Sequence, residues 1–158
     1  MRLWRISNHA DLSGEGGRLA EGRWNHLGRR VVYLAEHPAL ALLETLVHLE
    51  VDPEDMPVDF RLLSVEAPND LGVEEWLEAD LDSSHPDWRH NGGVTRELAE
   101  RFFTEGRCAL IRVPSVLIPA AYNFLLNLGH PGAADLRIAS DVLVGLDARL
   151  LGRRQDSP

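Results

Sequence analysis

VVYLAEHPALALLETLVHL, residues 31–49, changes its hydrophobic period halfway along. Val31–Ala35 is a run of branched and aromatic residues and reads as a buried strand. Pro38 then opens a helix in the first turn, where its missing N–H costs nothing. That helix is predicted over residues 38–49. Leu40, Leu42, Leu43, Leu46, Val47 and Leu49 leave it little polar surface, the pattern of a helix buried on nearly every side. Glu44 stands in its middle, and a carboxylate there needs a partner or a purpose. An ionisable group in such surroundings points to a functional site. The structural alternative is an ion pair from Glu44 to Arg5 or Arg23.

Working outward, residues 3–6 predict a first strand carrying Arg5, followed by a Gly- and Ser-rich loop over 8–21. Residues 60–65 read as a strand, 73–77 as a short helix and 80–93 as loop. Residues 95–105 read as a helix capped by Thr95. Strands are expected again at 108–113, 122–126 and 148–151. Strands and helices follow one another without a regular βαβ repeat, so the fold class is α+β: a single compact domain with a mixed sheet core and flanking helices. With no repeat or linker in the chain, residues 1–151 form the domain and 152–158 a disordered tail.

The 158 residues are enough to bury a core without disulfides or structural metals, and the hydrophobic and charged fractions, 44% and 26%, are those of an ordinary globular protein. Sixteen Lys plus Arg against 25 Asp plus Glu give a net charge of -9. This argues against nucleic acid as a direct ligand. The basic side is all arginine, and Arg2, Arg5, Arg18, Arg23, Arg29 and Arg30 crowd the N-terminal third, where an anionic small molecule would be drawn. The lone Cys108 reads as a small core residue and fits a reducing cytoplasm. Neither a signal-peptide core nor an 18-residue apolar run is present, so no membrane association is expected.

Taken singly, most candidate motifs are weak. GEGGR at 14–18 lacks the ending of a P-loop and the strand-to-helix context of a dinucleotide fingerprint. The seven histidines show no zinc spacing, and no metal is expected. Ser115 is not in a nucleophile elbow and reads as a turn residue. Arg23 beside Trp24 and Asn25 reads as an exposed arginine stacked on its neighbour, and Tyr33 as a core tyrosine.

Together they say more. GRWN at 22–25, VYLA at 32–35 and ALALLETLVH at 39–48, then RVPSV at 112–116 and NFLLNLGHP at 123–131, resemble in order the signatures of the RES domain, named for its Arg, Glu and Ser. The likeness runs over about residues 3–151. Leu128 replaces a usual Pro and His37 a usual Ser, neither of which carries chemistry.

The resemblance implies a fold related to ADP-ribosyltransferases, with NAD+ as substrate in a cleft. It also implies the role of toxin in a bacterial toxin–antitoxin pair, opposed by a helix-turn-helix antitoxin in a hetero-oligomer, and growth arrest when the toxin is expressed alone. Glu44, Arg23 and Ser115 are then the catalytic set, with Arg23, Tyr33, Trp24, Asn25, Asn123 and Arg5 binding NAD+. Cleaving the nicotinamide–ribose bond builds oxocarbenium character that Glu44 would stabilise. Arg23 would grip pyrophosphate or ribose through its forked guanidinium, Tyr33 would stack on nicotinamide or shape its pocket, and Ser115 would orient Glu44 or a ribose hydroxyl rather than attack as a nucleophile. Asn123 and His130 fit more distant supporting roles. The acceptor stays open between water, phosphate and a protein target. A different class of reading is a catalytically silent antitoxin-binding module.

Overall fold

The structure, a computed structural model, describes residues 1–48, 59–147 and 150. Its strands are β1 (Arg2–Ser7), β2 (Val31–Ala35), β3 (Asp59–Glu66), β4 (Val73–Glu75), β5 (Leu110–Pro114), β6 (Tyr122–Asn127) and β7 (Arg137–Gly145). The helices are α1 (Glu15–Leu19), α2 (Pro38–His48), α3 (Glu78–Ser84) and α4 (Gly92–Glu105), with a 3-10 turn at Pro131–Asp135. All seven strands belong to one sheet in the order β4-β5-β6-β2-β1-β3-β7. Among the described residues only β4 and β5 run parallel, so the sheet is mixed and the class is α+β, as the sequence predicts.

Alternation along the strands sends side chains to two faces. Val32 and Leu34 of β2 join Leu3, Val65, Leu110, Phe124 and Leu126 on one face, roofed by Leu136 and by loop residues such as Leu12 and Leu71. Val31, Ile111, Val113 and Leu125 point the other way, where Leu81 of α3 and Ala99, Phe102 and Phe103 of α4 cover them together with Trp24 and Trp88. Further along that face α2 lays Leu40 and Ala41 over Ala35, with Trp4, Ile6 and Ala121 around them.

Pairing is uneven across the sheet. Strand β2 pairs with β6 from Val31↔Asn127 to Ala35↔Asn123, and β1 pairs with β3 from Arg2↔Glu66 to Ser7↔Arg61. Between β1 and β2 the register holds a single pair, Trp4↔Ala35. The sheet is therefore two halves meeting at one bridge.

Several expectations need correction. Helix α2 is not buried all round: Leu43 and Val47 are 40% and 59% exposed, because a helix laid on a sheet covers one stripe only. The predicted helix at 73–77 is the strand β4 at its start, an edge strand too short to show its period. The predicted loop at 80–93 contains most of α3, in which Leu81 alone is buried, so no apolar period betrays the helix. The next helix starts earlier than expected, at Gly92, with Asn91 accepting from the Gly93 and Val94 N–H groups as its cap. Thr95, read as the cap, is buried and donates instead to the Arg23 carbonyl at 2.6 Å.

The loop at 8–21 carries the short α1. Gly14 is needed before it, since its φ of 69° is left-handed and a Cβ there would lie 2.9 Å from the Val31 backbone nitrogen. The expected strand at 148–151 and the tail at 152–158 lie outside the described residues but for Leu150. Ahead of them the sequence reading missed β7, whose residues are almost all exposed. Cys108 is half-buried against the α3–α4 cluster. Among the described residues no helix is long and apolar enough to cross a membrane.

Trp88 is completely buried. Trp88→Ala is expected to cost about 3–5 kcal/mol, read from the urea midpoint at constant slope. A cost below about 1 kcal/mol would show that its cluster is not a working core.

Candidate active site

Chain segments distant in sequence meet around Glu44. Its Oε1 accepts hydrogen bonds from Ser115 Oγ at 2.8 Å and from Asn123 Nδ2 at 2.6 Å. Both donors are buried, at 3% and 9% exposure. Asn123 sits on β6 opposite Ala35, and Ser115 directly follows β5. No cation lies within ion-pair distance of Glu44 among the described residues, so the alternative of a structural pair to Arg5 or Arg23 is not what the structure holds. Glu44 is held by neutral donors and has no ion pair among the described residues.

Ser115 spends its hydroxyl in full. While donating to Glu44 it accepts the backbone N–H groups of Leu117 and Ile118 at 3.1 and 3.2 Å, which uses one donor and two acceptor positions. Its turn contains Ala120 at φ 62°, a conformation rare for a residue with a Cβ. The Ala120 N–H meets Glu78 Oε2 at 3.4 Å, and Glu78 is itself paired with Arg89. Segment 78–89 therefore tethers the serine turn.

Tyr33 connects the carboxylate to the arginines. Its hydroxyl donates to Asn25 Oδ1 at 2.8 Å and accepts the Trp24 N–H at 3.0 Å. Burial pushes the phenol pKa well up from the usual tyrosine range, the Trp24 N–H bond pulls it partly back, the nearby Glu44 charge adds to the rise, and Arg96 and Arg23 oppose it. Glu44, Tyr33, Arg23 and Arg96 thus share one electrostatic neighbourhood.

Arg23 is half-buried and donates only weakly, to the Trp88 carbonyl at 3.5 Å. Among the described residues it has no carboxylate partner. Its neighbours in sequence are spent inside the protein. Trp24 is 2% exposed and packs against Trp76 and Trp88 at centroid distances of 5.8 and 6.1 Å. The Asn25 amide donates to the carbonyls of Gly17, Ala20 and His26. Gly22 fits only as glycine, because a Cβ would stand 2.5 Å from Asn25 Oδ1 and 2.6 Å from the Tyr33 hydroxyl.

Arg5 lies at the seam between the half-sheets. It donates to the Tyr33 carbonyl at 3.4 Å and to Ser7 Oγ at 3.5 Å, its Nε is buried without a partner, and burial pulls its pKa down while Asp11 offsets part of the effect. His130 is not in the cluster: it caps the 3-10 turn by accepting the Gly132 N–H. Arg96, which binds the Gly22 carbonyl at 3.3 Å and Glu21 at 3.0 Å, was invisible to sequence reading, as was Glu78, since only tertiary folding brings either near. Two surface depressions, one around Met1, Glu66 and Arg137 and one between β4, α3 and α4, contain neither Glu44 nor Arg23. Among the described residues no group of three His, Cys, Asp or Glu is placed to hold a metal.

A family profile described as the RES domain matches residues 2–147. A protein of Pseudomonas putida named Toxin Res is 45% identical over 138 residues, covering 87% of this chain and 92% of its own. A Sphingobium protein named Prs ADP-ribosylating toxin is 34% identical over 144 residues, covering 85% and 87%. A chain in the crystal structure of the M. tuberculosis MbcT–MbcA toxin–antitoxin complex superposes with a TM-score of 0.72 at 17% identity, covering 91% of this chain and 84% of that one. That last likeness speaks to the fold alone.

The Tyr33 phenol generates a pH test. A folded-state pKa raised above the unfolded value of about 10 contributes stability that is fully present below that value and is lost as pH rises beyond it. Unfolding free energy is therefore expected to fall above about pH 10, and less steeply in Tyr33→Phe. Equal slopes in the two proteins would show that Tyr33 ionises freely.

Proposed function

The chain belongs to the RES domain family, and from that premise we propose that it is the toxin of a toxin–antitoxin pair, an enzyme that breaks the nicotinamide–ribose bond of NAD+. The names of its relatives support the toxin role. The observation that carries the chemistry is a carboxylate held in place by two neutral donors and, among the described residues, paired with no cation. As the bond to nicotinamide lengthens, positive charge grows on the ribose carbon, and a fixed anion nearby lowers the barrier without having to reorganise. Nicotinamide leaves with the bonding electrons and becomes neutral. Water completes the reaction as ADP-ribose and a proton, or phosphate as ADP-ribose phosphate, so the net result is NAD+ depletion.

Arg23 is the binding cation in this reading, its guanidinium free to take a diphosphate oxygen pair or a ribose hydroxyl. Tyr33 supplies an aromatic wall, its hydroxyl being committed to the 22–25 turn. Trp24 and Asn25 serve by fixing that turn from below, and Arg5 by holding the Tyr33 backbone at the seam. Ser115 orients Glu44; with its oxygen saturated it is not a nucleophile. The partner is an antitoxin bearing a helix-turn-helix domain, in a hetero-oligomer in the cytoplasm. The chain's net charge of -9 favours a basic contact surface on that partner.

A second reading, ADP-ribosylation of a protein acceptor, is favoured by the Sphingobium relative named for that activity. It uses the same donor residues and differs in what receives the ribose.

Incubating NAD+ with the purified protein, with and without phosphate, is expected to release nicotinamide, and the second product tells water from phosphate. NAD+ left intact in both arms, with no label transferred to protein in a lysate, would refute both readings. Glu44→Gln should lower kcat by roughly 10²–10³-fold with the fold retained. Arg23→Lys should act mainly through KM; an unchanged KM would remove Arg23 from the binding set.

A further inference from the structure

The two donors that hold Glu44 bind the same oxygen. Oε1 accepts from Ser115 and from Asn123, whereas Oε2 accepts no hydrogen bond among the described residues. On helix α2 the neighbouring Leu43 and Val47 are exposed, so the hydrogen bonds from Ser115 and Asn123 are what fix the carboxylate.

The two donors are also unequal. Ser115 depends on a turn that contains the left-handed Ala120 and is tethered through Glu78. Asn123 is on an interior strand, paired with Ala35 on one side and Val113 on the other. It is the more rigid of the two anchors and makes the shorter bond. At 9% exposure it has little surface left for a ligand.

We infer that Asn123 is a positioning residue: its amide pins Oε1 of Glu44 and so presents Oε2 to the ribose of the substrate. This inference rests on reading Glu44 as the carboxylate that faces NAD+. It also assigns Asn123 a role different from substrate contact, and the two roles give opposite kinetics.

In Asn123→Ala, kcat for NAD+ consumption is expected to fall roughly 10–100-fold, the worth of one hydrogen bond to a charged group, while KM stays within about 2-fold. Asn123→Asp keeps the shape but replaces the donor by an acceptor, so it is expected to be worse than alanine. A packing role would rank the two variants the other way, and a substrate-contact role would raise KM; either result overturns the inference.

A thermal-unfolding cycle tests the contact without any reaction. Asn123→Asp should lower Tm beside Glu44 and do so much less beside Glu44→Gln, whose amide can donate to the new carboxylate. Strictly additive shifts would overturn the inference. Where Asn123→Asp does not fold, the Asn123→Ala and Glu44→Ala cycle replaces it, with non-additivity expected. Intact NAD+ with wild-type protein would instead refute the proposed reaction, and the thermal cycle would still report whether Asn123 holds Glu44.

Discussion

Strand β2 is hydrogen-bonded along its whole length to β6 and at one residue to β1. A sheet interrupted in this way is weak where it should be continuous, and the unmatched backbone groups at the seam need other partners. Arg5 supplies one by donating to the Tyr33 carbonyl, at the expense of burying a guanidinium whose Nε has no partner. The same interruption leaves Tyr33, on the side facing the helices, between the cluster under α3 and α4 and the small cluster under α2. Glu44 reaches this region from α2, Asn123 from β6, and Arg23 from the turn bonded to the Tyr33 hydroxyl. The site is thus a consequence of how the two half-sheets join.

An uncompensated carboxylate in partial burial is unfavourable unless hydrogen bonds replace its water. Each bond to a charged group is worth about 1.5–3 kcal/mol, so two good donors are enough to keep Glu44 in one place without an arginine. An ion pair would have held it as well, but would have spent the charge on the protein. The abundant arginines are bound elsewhere: Arg29 to Glu100, Arg61 to Asp141, Arg89 to Glu78 and Asp82. Arg23 has no carboxylate within ion-pair distance among the described residues and makes one long bond, to the Trp88 carbonyl. Two opposite charges that both act on Tyr33 but do not pair with each other give the region a dipolar character in keeping with the substrate proposed above.

Much of this was legible in the sequence. The switch from strand to helix between Ala35 and Pro38, and the oddity of Glu44 in a leucine-rich helix, were visible because each is a local pattern. The ordered motifs tied Ser115 to Glu44 in prospect but put Asn123 only among the NAD+-binding or supporting residues, because spacing alone says nothing of its contact with the carboxylate. What failed failed for physical reasons. α3 buries one side chain, β4 is three residues long, and β7 is exposed on nearly all its residues, so none prints a hydrophobic period. The exposure of Leu43 and Val47 was misread because an apolar helix looks the same in sequence whether its outer face is covered or open. Arg96 and the tether from Glu78 depend on long-range packing that leaves no local trace.

The contrast between Glu44 and Arg23 gives the site its logic. Around Arg23 the backbone is fixed: Thr95 binds its carbonyl, Asn25 and Tyr33 lock the turn, and Gly22 packs too closely to admit a side chain. Its guanidinium, held by one long bond, remains the adjustable part. Around Glu44 the reverse holds, since α2 is lightly covered while the carboxylate itself is gripped. A group that stabilises a developing charge gains from being preorganised, because any movement during the reaction adds to the barrier. A group that captures a flexible diphosphate gains from adapting its donors to the ligand. The fold places rigidity in the side chain for the one and in the backbone for the other, a division that suits the reaction proposed above.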